Sequence, residues 1–76
     1  MENKIKSTIF NKEYYAHEAV KILDPTQAAL YWIHGLQPLD MYPSRDRKTG
    51  RAIIVYVFSR IDSKPLYDLW CKYELK

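Results

Sequence analysis

The sequence contains little glycine and lacks the short motifs by which many enzymes are recognised. Its 76 residues include only two glycines, so few positions could let the backbone fold closely around a phosphate group. Neither a Gly-x-Ser-x-Gly segment nor the ligand spacing of a zinc site occurs. The carboxylates form no pair suited to acid–base catalysis, since Asp24 and Asp62 are placed to cap helices. We therefore predict that the protein is not an enzyme and carries no cofactor.

Cysteine and histidine are also scarce. Cys71 is the only cysteine, which excludes a disulfide within the chain and is typical of proteins in the reducing cytoplasm. It has Lys72 beside it but no histidine that could activate it, so we expect a partly buried structural thiol. His17 and His34 stand apart from other ligand-type side chains. No metal is expected.

Long apolar runs are also missing. The longest covers residues 52–58, far short of the roughly 20 residues that cross a bilayer. Residues 1–10 contain lysines but no apolar segment of the kind found in a signal peptide. We expect a cytoplasmic protein without a membrane partner. The length predicts one small domain over residues 1–76, in which residues 1–18 are either loosely ordered or extended.

The first helix signal surrounds residue 25. Asp24 can cap the free backbone N–H groups of a helix that begins at Pro25, a residue already set near the helical φ. Gln27 can reach back to the cap, as in a capping box. Gly35 suits the position just beyond a helix end. The pattern predicts a helix over residues 25–34.

A second helix signal lies near the C-terminus. Asp62 or Ser63 can act as the cap, with Pro65 in the first turn. Apolar residues then recur with helical spacing at positions 66, 69, 70 and 73. The pattern predicts a helix over residues 64–74.

Strand signals lie between and before the two helices. Residues 51–59 are rich in β-branched and aromatic side chains and give the strongest strand signal. Residues 36–43 form the other half of a hairpin, and Pro38 and Pro43 exclude them from the middle of a sheet. Residues 19–23 are apolar enough to add a third, N-terminal strand.

Together these elements predict an α+β fold in which a small antiparallel sheet packs against two helices. The hairpin forms the sheet, with the N-terminal strand as a third member where it is present. The side chains that we expect to be largely buried are Leu30, Ile33, Ile53, Val55, Val57, Leu66, Leu69 and Trp70.

The strand over residues 52–58 is apolar on both faces, although a strand covered on one face should alternate apolar and polar residues. In one interpretation the N-terminal segment covers the second face, and the protein is a monomer. In the other, Ile54, Tyr56 and Phe58 form an exposed interface, which favours a homodimer or an unidentified protein partner. We adopt these three residues as the candidate protein interface.

The net charge of +3 comes from the second half of the chain. Half of the basic residues there lie in the hairpin loop region, at Arg45, Arg47, Lys48 and Arg51. Such a loop can simply keep an apolar sheet soluble. It can also contact phosphates, with Tyr42 or Tyr56 stacking on bases. The candidate nucleic-acid contacts are therefore the four basic residues and Tyr42.

Five short segments also carry a resemblance. They are Pro25-Thr26-Gln27-Ala28-Ala29-Leu30-Tyr31, Gly35, Pro38-Leu39-Asp40-Met41-Tyr42, Val55-Tyr56-Val57-Phe58 and Leu66-Tyr67-Asp68-Leu69-Trp70. Over about residues 20–75 the chain resembles small uncharacterised proteins of Gram-positive bacteria and their phages. The resemblance implies a helix, hairpin, helix layout and a mobile-element origin, but no activity.

The leading interpretation is a non-enzymatic protein-binding module, a regulator or inhibitor of phage or mobile-element origin. The alternative is a nucleic-acid-binding module that uses the basic hairpin loop.

Overall fold

A computed structural model describes residues 4–7 and 9–76. The described residues form five strands and two helices, and their order along the chain is as follows. The elements are β1 (Lys4–Lys6), β2 (Glu13–Tyr15), a short 3-10 turn (Ala16–Glu18), β3 (Ala19–Ile22), α1 (Pro25–Ile33), β4 (Asp40–Arg45), β5 (Ala52–Ser59) and α2 (Arg60–Cys71). Strands β3, β5 and β4 form an antiparallel sheet in that order, and β1 pairs with β2 in a separate hairpin. This confirms the predicted α+β class and the third strand of the sheet.

Helix α1 begins where its local sequence predicts. The Asp24 carboxylate accepts hydrogen bonds from the backbone N–H groups of Thr26 (2.8 Å) and Gln27 (3.2 Å), and Pro25 occupies the first helical position. Gly35 follows the helix at φ +94°, a conformation that favours glycine. The Gln27 side chain does not return to the cap. Its amide donates to the Tyr31 hydroxyl instead, at 2.8 Å.

Helix α2 begins earlier than predicted. Its N-cap is Ser59, whose hydroxyl accepts from the Asp62 backbone N–H at 3.3 Å. Asp62 and Ser63 therefore lie inside the first turns, and the predicted caps are wrong. Pro65 lies within the helix rather than at its start. At this position the proline lacks the N–H that would bond to the Ile61 carbonyl, so the helix continues through it with one backbone hydrogen bond fewer.

Strand β4 occupies an edge of the sheet, as Pro43 predicted, although it begins at Asp40 rather than at residue 36. The hairpin loop is closed by Asp46. Its carboxylate accepts from the backbone N–H groups of Lys48 (2.7 Å) and Thr49 (3.1 Å). Gly50 completes the loop at φ +72° and donates its N–H to the Asp46 carbonyl.

The main core lies between the sheet and the two helices. Tyr31 and Phe58 form its centre, with ring centroids 5.1 Å apart in an edge-to-face contact, and Ala28 and Leu75 complete the buried cluster. The Tyr31 hydroxyl is satisfied by Gln27, which allows a tyrosine to be fully buried.

A smaller core lies on the opposite face of the sheet. There Tyr14 of the N-terminal hairpin packs with Val55 and Val57. The Tyr14 hydroxyl donates to the buried Asp40 carboxylate at 3.2 Å, and the Ser7 hydroxyl donates to the same carboxylate at 3.2 Å. The N-terminal segment thus covers part of a sheet face, as one of the two interpretations expected. The face is that of Val55 and Val57, however, and not that of Ile54, Tyr56 and Phe58.

The predicted core is only partly correct. Val55 and Val57 are buried, and Leu30, Ile53, Leu66 and Trp70 are half-buried. The prediction that Ile33 and Leu69 are buried is wrong, because their side chains are 74% and 37% exposed. Helix α1 turns the Ala28–Tyr31 side toward the sheet, so Ile33 lies at the rim. The prediction overlooked Phe58 and Tyr31, the largest buried side chains.

Candidate nucleic-acid interface

The predicted protein interface lies largely on the covered face of β5. Phe58 is 0% exposed and Tyr56 is half-buried, since both pack against the helices. Ile54 is the most accessible of the three, at 41%. The prediction of an exposed apolar face is therefore wrong for Phe58. Tyr56 lies on the same covered face and does not stand beside the basic loop.

The open part of the sheet lies on the other face. An open cavity of about 500 Å³ there has the half-buried Ile53 and the buried Val55 as its floor. The alternation of strand side chains explains the arrangement. Tyr42 of β4 is paired with Val55 of β5, and Lys21 of β3 is paired with Val57, so all four project to one face.

Four cations line this cavity. They are Lys21 from β3, Arg45 from the end of β4, and Arg47 and Lys48 from the loop. Among the ion pairs between described residues, none involves any of these four side chains. Arg45 is held in place because its Nη1 donates to the Gly50 carbonyl at 2.9 Å. Like charges gathered in excess of counter-charges favour an anionic ligand.

One carboxylate, Asp46, also lines the cavity. The backbone N–H groups of Thr49 and Lys48 lower the pKa of Asp46, so the group stays ionised and holds the loop. The cavity lining thus carries four positive charges and one negative charge, and the negative group is already hydrogen-bonded to the loop backbone. The cavity is therefore positive.

Tyr42 stands between this cavity and a smaller one of about 300 Å³ beside the N-terminal hairpin. Lys21 and Tyr42 line both, so the two cavities form one continuous surface along the sheet. Tyr14 and Asp40 close its far end. Burial first, and then the charge of Asp40, raise the pKa of Tyr14 to about 12. Its hydroxyl therefore stays protonated and donates to Asp40.

The structure brings together most of the predicted nucleic-acid contacts. Tyr42, Arg45, Arg47 and Lys48 all line the larger cavity. Arg51 is absent from the described lining and lies at the base of the loop, where its backbone N–H bonds to the Thr49 hydroxyl. Lys21 was missed. Alternation separates Lys21 from Val20 and Ile22, but its place in this cavity follows from the pairing of β3 with β5, which the sequence does not contain.

The remaining reactive side chains form no further site among residues 4–7 and 9–76. No group of three or more His, Cys, Asp or Glu side chains in that part of the chain could hold a metal ion. Cys71 is exposed, which corrects the expectation of a partly buried thiol. His34 Nε2 lies 2.8 Å from the Lys76 carbonyl, at the end of α1. No described helix is long and apolar enough to cross a membrane.

Comparisons with protein-family models, curated proteins and solved structures found no match for this chain. Its function is therefore inferred from its own residues and their geometry.

Proposed function

We propose that this protein is a non-enzymatic binding module that holds nucleic acid on the sheet face opposite the helices. The observation that carries the proposal is the gathering of Lys21, Arg45, Arg47 and Lys48 around one cavity without an ion pair to a described carboxylate. Phosphate backbones are bound mainly by such lysine and arginine side chains, through charge and the release of counterions.

The surface suits a single strand better than a duplex. Both helices pack on the other face of the sheet, so neither extends from the cationic surface as a helix that enters a major groove would. Tyr42 is half-buried at the centre of the surface, beside the apolar floor of Ile53 and Val55. A flat aromatic ring between cations offers a stacking platform for an unpaired base, with little preference for sequence.

Fluorescence anisotropy with a labelled thymidine oligonucleotide tests the proposal. An oligonucleotide of about 12 nucleotides matches the site size of small single-strand binders. The double substitution Arg47→Ala, Lys48→Ala should weaken binding at low salt roughly tenfold or more, since two phosphate contacts are lost. The matched control is Lys72→Ala, Lys76→Ala, which removes the same charge from residues outside the cavity lining and should have a much smaller effect. Equal losses in the two double variants would contradict a site at the cavity.

The role of Tyr42 is tested separately. Tyr42→Leu keeps an apolar side chain but removes the ring, and should weaken binding by about 1–3 kcal/mol. Tyr67→Leu, an exposed tyrosine on α2, is the matched control. Unchanged affinity in Tyr42→Leu would remove the stacking part of the proposal and leave a purely electrostatic surface.

The protein-binding interpretation stays a prediction, as do the role of regulator or inhibitor, the phage or mobile-element origin and the cytoplasmic location. We propose a monomer rather than a homodimer in the absence of ligand. The contact of Tyr14 with Val55 and Val57 supports this proposal, because part of the sheet face opposite the helices is then covered within one chain.

A further inference from the structure

The outer edge of β3 presents backbone groups that no described strand pairs with. Val57, in the central strand, points its carbonyl toward β4, where it accepts from the Leu39 N–H at 2.6 Å. Backbone groups alternate in direction along a strand, so Lys21, the partner of Val57, points its own N–H and carbonyl away from β5. The middle of β3 therefore offers one donor and one acceptor at an open edge.

A groove runs beside this edge, between β3 and α2. It has a volume of about 400 Å³ and an apolar floor of Val20, Ile22 and Tyr31. Its rim carries Arg60, Lys64 and the exposed ring of Tyr67. No carboxylate of the described residues lines it.

Arg60 is fixed at one end of the edge. Its Nε donates to the His17 carbonyl and its Nη2 to the Ala19 carbonyl, both at 3.1 Å. Lys64 lies one turn further along the helix, where its Nζ bonds to the Asp68 carboxylate at 2.6 Å. Both members of that pair are at least half exposed, so the lysine can also contact an incoming anion.

The charges of the groove decide what can occupy it. A second copy of this chain, docked edge to edge about a two-fold axis, would bring the cations beside this edge near the same cations of its partner. They are Arg60 and Lys64 on the groove side and Lys21 on the opposite face. Like charges facing each other across paired strands destabilise the pair. A nucleic-acid strand would satisfy the charges but has no alternating N–H and C=O groups to match those of Lys21. An acidic polypeptide satisfies both requirements.

We propose that the open edge of β3 and the groove beside it bind an extended acidic segment of a partner protein as a fourth strand of the sheet. Backbone hydrogen bonds to Lys21 would set its register, as in other cases of strand addition. Its side chains would alternate, with apolar residues on the face of Val20 and Ile22 and acidic residues on the opposite face beside Lys21, while Arg60 and Lys64 border the added strand from α2 and favour its negative charge. This gives the protein-binding interpretation a site that shares only Lys21 with the cationic cavity, and it does not depend on nucleic-acid binding.

The test uses the full chain and two labelled peptides. One alternates glutamate and valine over about six residues, the ordinary length of a strand. The other has the same composition, with its glutamates and valines segregated into two blocks. The alternating peptide should bind and slow hydrogen exchange at the Lys21 amide, whereas the segregated peptide should do neither. Equal binding of both peptides, or no change at the Lys21 amide, would overturn the proposal.

Two variants test the groove without touching the cationic cavity. Lys64→Glu should weaken binding of the alternating peptide about fivefold or more, since one attractive charge contact becomes repulsive. Lys72→Glu makes the same change of charge at the C-cap of α2, outside the groove lining, and should have a smaller effect. Neither variant should alter oligonucleotide affinity by more than about twofold, which separates failure of this proposal from failure of nucleic-acid binding. Protection of the Lys21 amide that rises with protein concentration alone would overturn the proposal in favour of a second copy.

Discussion

Phe58→Ala should remove a large part of the stability of this protein. Phe58 is fully buried, and its ring contacts the Tyr31 ring edge to face at 5.1 Å. Truncation of a buried phenylalanine costs about 3–5 kcal/mol. Native domains have roughly 0.05–0.15 kcal/mol of stability per residue, or about 4–11 kcal/mol for this chain. The variant should therefore keep at most about 8 kcal/mol of stability, and it should be unfolded at 25 °C if the wild type lies at the lower end of this range.

Ile54→Ala is the matched control on the same strand. Ile54 is 41% exposed, so its truncation should cost only about 1 kcal/mol. Urea denaturation followed by tryptophan fluorescence measures both variants, because Trp70 packs against the core cluster that contains Phe58. A stability of Phe58→Ala within about 1 kcal/mol of the wild type would refute the placement of this residue in the core. It would restore Phe58 to the interface with Ile54 and Tyr56.

Two further predictions concern a helix cap and a tyrosine. Asp24→Ala should lower the free energy of unfolding in urea by about 1 kcal/mol, since the Thr26 and Gln27 N–H groups lose their acceptor. Asp24→Asn should recover most of that stability, because an asparagine side chain can also cap the helix. Equal losses in both variants would contradict the capping role. In an absorbance titration, one tyrosine should ionise near pH 12, and Asp40→Asn should lower that pKa. Because folding raises the pKa of Tyr14, its contribution to stability is fully present below about pH 10 and is lost as the pH rises toward 12. A chain in which every tyrosine ionises near pH 10 would contradict the buried contact with Asp40.

Local signals in the sequence were sufficient for the elements whose determinants are close together. Helix α1 was predicted within one residue because Asp24, Pro25 and Gly35 act within a few residues of the backbone that they cap or end. Helix α2 was mispositioned because two cap signals compete. Ser59 ends a strand and starts the helix at once, whereas a proline in sequence suggests a later start.

The packing could not be predicted in the same way. Both faces of β5 are apolar, so its pattern does not reveal which face meets the helices, and Phe58 was assigned to the wrong side. The contact of Tyr14 with Asp40 joins residues 26 positions apart, and that of Ser7 with Asp40 joins residues 33 apart. Neither carries a local signature. Asp40 can be buried at the start of β4 because Ser7 and Tyr14 of the N-terminal segment donate hydrogen bonds to its carboxylate.

The candidate site could be predicted from the sequence only in part. The cluster of Arg45, Arg47 and Lys48 was visible as a charged loop, and Tyr42 as a neighbour on the preceding strand. Lys21 lies on a different strand, and its presence in the same cavity follows from the β3–β5 register, which the sequence does not contain. Arg51 is not among the residues that line the cavity, although its charge acts on Asp46 in the same loop.

The salt dependence of oligonucleotide binding tests the central claim most directly. Binding to a single strand should weaken linearly in a plot of log K against log salt, with a slope of about −0.7 for each phosphate contact, or about −2.8 for four contacts. Arg47→Ala, Lys48→Ala should reduce that slope by about 1.4, whereas Lys72→Ala, Lys76→Ala should leave it unchanged. A wild-type slope near zero, or the same reduction in both double variants, would contradict a phosphate-binding surface formed by Lys21, Arg45, Arg47 and Lys48.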